Sequence, residues 1–137
     1  MNTPANRPAN GTTVEQIRND YSHFPYDQSY ELYAEDVYFK DPLNEFRGVK
    51  RYQWMISLLQ NLFHQHQLDL HDISQPQADQ ILTRWTLSMT APLPWQPRLS
   101  ISGHSELGLN EQGLVVSHID YWNCSRWDVF QQIWRSR

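Results

Sequence analysis

Near residue 66 the hydrophobic repeat of the chain changes from helical to strand-like, and that switch leaves few folds open. Upstream of it, Val49, Tyr52, Ile56, Leu59 and Phe63 recur at helical spacing opposite Lys50, Arg51, Gln53 and Gln60, which predicts an amphipathic helix over residues 48–63. Downstream the period is two and turn residues fall at regular intervals, which predicts four strands over residues 66–74, 80–90, 98–109 and 114–123. The links at 75–79, 91–97 and 110–113 are short enough for antiparallel hairpins, and Asn110 to Gly113 suits a type I turn closed by a left-handed glycine. One long helix followed by a meander of long strands describes an α+β domain with helices on one face of a curved antiparallel sheet.

The other segments fit around that frame. Residues 1–11, with two prolines, three asparagines and a glycine, are expected to form a flexible leader, so that one domain spans 12–137. Thr12 and Glu15 have the spacing of a capping box, and Ile17 and Tyr21 then share a face of a short helix that Pro25 ends. Tyr26, Tyr30 and Tyr33 at i, i+4, i+7 predict a second helix over residues 26–35. Val37, Phe39 and Asp41 alternate with Asp36, Tyr38 and Lys40 as a short strand whose apolar face ends in a carboxylate, and Pro42 stops it. Ser125 and Asp128 are placed to cap a C-terminal helix with Trp127, Phe130 and Trp134 as its apolar stripe.

Composition narrows the function classes. A chain of 137 residues holds one core, and a net charge of -4 gives no basic face for nucleic acid. The most apolar stretch, residues 54–59, is far shorter than the roughly 18 residues of a membrane span, and no apolar segment follows Met1 as a signal peptide requires. Cys124 is the single cysteine, which excludes an internal disulfide and a Cys-based metal site. A soluble cytoplasmic protein, with small molecules or other proteins as its ligands, is the expectation. Aromatics make up 13%, including 6 Trp and 7 Tyr, more ring than one small core readily houses, so a homodimer through the sheet is expected.

Several residues are candidates for chemistry. Asp41 reads in two ways, as a carboxylate held in apolar surroundings and so a usable base, or as a cap on the loop after it. Leu114, Val116, His118, Asp120 and Trp122 alternate along the last strand, which puts His118 and Asp120 about 7 Å apart on one face. Such a pair can do acid–base work near neutral pH, or it can form a structural network with Arg84 from a neighbouring strand. His104 and Glu106 repeat the spacing on the strand before, and Trp85, Trp95 and Trp122 are candidate cavity walls. His64, His66 and His71 match no standard zinc motif, so neither a metal nor a cofactor is expected.

The run Tyr33-Ala34-Glu35-Asp36-Val37-Tyr38-Phe39-Lys40-Asp41-Pro42, followed by Phe46-Arg47-Gly48 and a helix, resembles the SnoaL-like and nuclear transport factor 2-like superfamily of cone-shaped α+β folds. That run, with Arg84-Trp85-Thr86, Pro94-Trp95-Gln96-Pro97 and His118-Ile119-Asp120-Tyr121-Trp122, is similar to a conserved domain of unknown function within it. The resemblance implies a cone whose pocket binds a small apolar or aromatic molecule, with acid–base activity of isomerase, dehydratase or cyclase type; the alternative is a non-catalytic dimeric interaction domain with a filled cone. In ketosteroid isomerases of that superfamily the aspartate before the proline is the general base, which implies Asp41 here; the places of their oxyanion donors hold Ile17 and Ser105, and Tyr21 lies one turn further along the first helix. The candidate site therefore comprises Asp41, His118 and Asp120 as catalytic groups and Tyr21, Tyr33, Phe39, Arg84, Trp85, Trp95, His104 and Trp122 as its lining.

Overall fold

The computed structural model describes residues 11–135; the expected leader lies outside them except for Gly11, which begins a helix, and the Thr12 side chain on which the capping box depends lies outside them too. The elements are α1 (Gly11–Ser22), β1 (Tyr33–Lys40), β2 (Glu45–Arg47), α2 (Val49–Leu62), β3 (His64–Gln77), β4 (Gln80–Thr90), β5 (Arg98–Leu109), β6 (Val115–Trp122) and α3 (Arg126–Arg135). They form an α+β domain on one six-stranded sheet in the order β2-β1-β6-β5-β4-β3. The expected meander is present, since β3, β4, β5 and β6 pair antiparallel in sequence order. Asn110 to Gly113 makes the expected turn, with Gly113 at φ 81° and the Asn110 side-chain oxygen accepting the backbone N–H of Gln112 and Leu114.

Two departures concern the first third of the chain. No helix forms over 26–35: only a 3-10 turn at Tyr30–Leu32 precedes β1, which begins at Tyr33 and runs parallel to β6. The tyrosine spacing that imitates a helical stripe belongs to a turn and a strand, and backbone pairing with β6 overrides it. The sheet is consequently mixed, extended past the meander by β1 and by a short β2 antiparallel to it.

Register shifts within β3–β4, β5–β6 and β1–β6 bend the sheet into a trough. One lies beside Val116, where Gly108 pairs with Ser117 but Leu109 with Val115. It flips the start of β6, so Val115, fully buried, faces inward with His118, and the simple alternation from Leu114 and Val116 does not hold. Helix α1 lies over β3 and α2 over β1. Ile17 of α1 packs with Leu32, Val37, Ile81, Leu107, Leu109 and Val115, while Tyr52 and Ile56 of α2 pack on Phe39. Helices α1 and α2 close the inner face of the trough.

Helix α3 carries the expected caps, with Ser125 Oγ accepting from Asp128 N at 3.0 Å and Asp128 Oδ2 accepting from Ser125 N at 2.9 Å. Its position follows from where β6 stops: beyond that point the Gln132 amide takes the place of a strand, accepting from Ser100 N at 2.8 Å and donating to Ser100 O at 3.0 Å. Trp127, Phe130 and Trp134 do form a stripe, yet it faces solvent.

Candidate functional site

Thr83, Ser105 and Asp120 are register partners across β4, β5 and β6 and point into the trough, as do Trp85 and Trp122 opposite Gly103 and His118 opposite Phe39. Sheet alternation on three strands thus gathers polar side chains onto an otherwise apolar inner face. Asp120 is their centre. Its Oδ1 accepts from Ser105 Oγ at 2.5 Å and lies 2.8 Å from His118 Nε2. A carboxylate only accepts, so Nε2 carries the proton in this contact. In the neutral ring Nδ1 is then the acceptor, and the Tyr33 hydroxyl, 2.9 Å away, donates to it. The same hydroxyl stands 3.4 Å from that of Tyr52. A second proton on the ring reverses the contact: Nδ1 donates to Tyr33, and the Tyr33 proton turns to Tyr52.

The network is walled by rings. Tyr33, Phe39 and Tyr52 surround the His118 imidazole with centroids 6.0, 5.1 and 5.6 Å from it. On the far side Trp85 Nε1 donates to Ser105 Oγ at 2.9 Å, and the Tyr21 hydroxyl is 3.0 Å from Thr83 Oγ1. Burial pushes the hydroxyls of Tyr21, Tyr33 and Tyr52 far up from the ordinary phenol range, and the nearby Asp120 charge adds to it. All three stay neutral near pH 7 and able to donate. Exposure is uneven along the network: the His118 side chain is 8% accessible, that of Asp120 21%. The carboxylate end is the end that opens to solvent.

A family model described as an uncharacterised conserved protein, DUF2358, matches residues 11–118. The chain belongs to the DUF2358 family. No curated protein matches its sequence. Among solved structures, a protein of Jannaschia sp. CCS1 provisionally assigned as a SnoaL-like polyketide cyclase superposes with a TM-score of 0.74 at 11% identity over 96% of this chain and 97% of that one. An epoxide hydrolase of M. tuberculosis, LEH-like, gives 0.68 at 15% identity over 90% of each chain. A hypothetical protein of Catenulispora acidiphila with a ketosteroid isomerase-like fold, solved with trimethylamine, gives 0.67 at 12% identity over 88% and 89%. Identities this low establish the fold, the cone-shaped type expected from the sequence, and nothing about chemistry.

In this DUF2358 member the fold gathers His118, Asp120, Tyr21, Tyr33, Phe39, Trp85 and Trp122 and disperses the other candidates. Arg84 and His104 sit opposite each other on the outer face of β4 and β5, where His104 stacks on Tyr121 at 4.7 Å. Arg84 therefore does not join Asp120; Ser105 and His118 are its partners, because the Arg84 register position has the wrong parity. Trp95 is outside the cone too, stacked on Trp134 with its indole N–H donating to Ile133 O at 2.6 Å. His66 and His71 bond separately to Leu59 O and Thr86 Oγ1, and no group of three or more His, Cys, Asp or Glu gathers among the described residues. Sequence reasoning missed Tyr52 and gave Ser105 no role. Tyr52 was hidden in an ordinary helical stripe, and Ser105 in the register: strands joined by the 110–113 turn without a bulge put Ser105 level with His118, and the extra residue at Val116 brings it level with Asp120.

Asp41 makes the loop-capping hydrogen bonds that were one of its two readings from the sequence. Strand β1 ends at Lys40, and Asp41 Oδ1 accepts the backbone N–H of Leu43 at 2.8 Å and of Asn44 at 2.7 Å. Its pKa is raised, chiefly by partial burial, against which these bonds work, and the parallel register of Lys40 with Ile119 puts Asp41 at the same end of the cone as Asp120. The cap predicts that Asp41→Ala costs about 1 kcal/mol in a urea melt, whereas Asp41→Asn, which keeps the Oδ1 acceptor, costs less than half of that. Equal losses in the two variants would remove the cap.

Two clefts lie outside the cone. One of about 330 Å³ is on the outer sheet face beside Asp79, Glu106 and Ser117. The other, of about 370 Å³, lies along Trp127, Phe130 and Trp134 of α3. Among the described residues no helix is long and apolar enough to cross a membrane.

Proposed function

We propose that this protein holds a small, flat apolar or aromatic molecule at the open end of the cone, over Trp122 and Asp120, and moves a proton on it with Asp120 as base and His118 as its partner. The exposure gradient carries the reading: within the hydrogen-bonded His118–Asp120 pair of an aromatic-walled polar network, the carboxylate is the member more open to solvent. Asp120 and Trp122 share the inward face of β6, so a flat molecule lying on the indole can present a weakly acidic C–H within reach of the carboxylate. Tyr33, neutral and hydrogen-bonded to Nδ1, keeps the ring of His118 turned toward Asp120. Fold analogy to proteins named as a polyketide cyclase and an epoxide hydrolase agrees with a small-molecule site, at the weight analogy has.

A substrate-independent probe tests it. In 5-nitrobenzisoxazole a base takes the proton on C3, the C–H electron pair becomes part of the nitrile, the N–O bond breaks with its pair going to oxygen, and the ring opens to a single coloured cyanophenolate. We expect the protein to exceed free acetate by about 100-fold or more per carboxylate, and Asp120→Asn to fall to the solution background. Lack of acceleration by the wild type defeats the base reading. The second reading, a non-catalytic interaction domain that dimerises through its outer sheet face, then leads; it is favoured by the rings packed round His118.

A further inference from the structure

We infer that Ser105, held by the Trp85 indole, is a positioning residue for Asp120, occupying Oδ1 so that Oδ2 is the working oxygen. The inference rests on Asp120 as the base only for its kinetic consequence; the arm itself can be seen without turnover.

The arm is built in depth. Trp85 and Ser105 are 7% and 1% exposed, and the indole N–H donates to Ser105 Oγ at 2.9 Å. An indole N–H can only donate, so it fixes the serine oxygen as acceptor on that side and directs the serine proton toward Asp120 Oδ1, 2.5 Å away. His118 Nε2, 2.8 Å off, donates to the same oxygen. Both protein donors thus converge on Oδ1, and Oδ2 makes no hydrogen bond to the described residues. A carboxylate held at one oxygen by two donors keeps a fixed plane, and its second oxygen presents its lone pairs in one direction.

Further back, Gly103 gives the indole its place. It is the register partner of Trp85, and a Cβ there would stand 3.0 Å from Trp85 Cη2. The bare backbone lets the ring lie flat along β5 and brings Nε1 to the next inward position, Ser105. The order of the arm is therefore Gly103, Trp85, Ser105, Asp120. It is separate from the His118–Tyr33 side and reaches the same carboxylate from the opposite flank.

The experiment uses the full chain and two readouts. In proton–nitrogen NMR spectra the Trp85 indole resonance should move when Asp120 is changed to Asn, and the same change made in a Ser105→Ala background should leave it in place. An indole resonance that ignores Asp120→Asn in the otherwise wild-type chain overturns the inference. With 5-nitrobenzisoxazole, Ser105→Ala should lower kcat about tenfold or more with KM within about twofold, and Trp85→Phe, which keeps the ring and loses the N–H, should lower it less. An unchanged kcat in a folded Ser105→Ala protein also overturns it. A serine that merely satisfied the indole would affect stability in both variants and leave kcat alone. If the wild type turns over no probe, the base reading fails, and the NMR comparison alone decides the arm.

Discussion

Far-ultraviolet circular dichroism should collapse cooperatively as the pH is raised from about 10 to about 12, with phenolate absorbance rising in the same transition, because an unfolded tyrosine titrates near 10. Tyr21, Tyr33 and Tyr52 are pushed well above that value, chiefly by burial. The folded state keeps protons there that the unfolded state has released. Stability is therefore complete below the unfolded pKa and falls as pH rises through the window above it. Each such hydroxyl contributes a slope of about 1.4 kcal/mol per pH unit, so three give about 4, and a domain stable by roughly 5–15 kcal/mol is exhausted within a few units. Tyr52→Phe takes one ionisable group out of the core and should reduce the slope by about a third. Phenolate absorbance from all 7 tyrosines with the circular dichroism intact would show that the three hydroxyls are not held as described.

The second large effect is expected at Gly103. A Cβ placed there would lie 2.2 Å from the backbone oxygen of Tyr121 and 3.0 and 3.1 Å from two Trp85 ring carbons. Backbone on one side and a buried indole on the other cannot give way, so Gly103→Ala should cost about 3 kcal/mol or more by forcing β5 and β6 apart. Gly108 is the internal control. A Cβ there meets the Ser117 hydroxyl at 2.5 Å, the end of a side chain free to rotate, and Gly108→Ala should cost about 1 kcal/mol or less. Urea melts of the two variants give the comparison, and equal costs would refute the packing argument.

The amino-acid sequence alone determined the elements with a long, uniform period. The helix over Val49–Leu62 and the strands from β3 to β6 follow from side-chain spacing, since a 14-residue amphipathic run or an alternating run has a single way to bury its apolar face. The Asn110 to Gly113 turn and the α3 caps are equally local, set by side chains reaching backbone groups two to four residues away. The pairing of His118 with Asp120 was legible too, as an i, i+2 relation on one strand.

Tertiary structure decided the rest, because it depends on which strand faces which. Tyr26, Tyr30 and Tyr33 satisfy a helical period, and only the parallel pairing of β1 with β6 makes Tyr33 the start of a strand. One extra residue at Val116 reverses the inward face of early β6 and is invisible to an alternation count. Arg84 and Ser105 are both near Asp120 in the meander, and the parity of the register sends one outward and the other to the carboxylate. Tyr33 and His118 are 85 residues apart in sequence, and Tyr21 and Thr83 are 62 apart. No local rule relates residues so separated, and the tertiary fold is what brings the Tyr33 hydroxyl to 2.9 Å from His118 Nδ1 and the Tyr21 hydroxyl to 3.0 Å from Thr83 Oγ1.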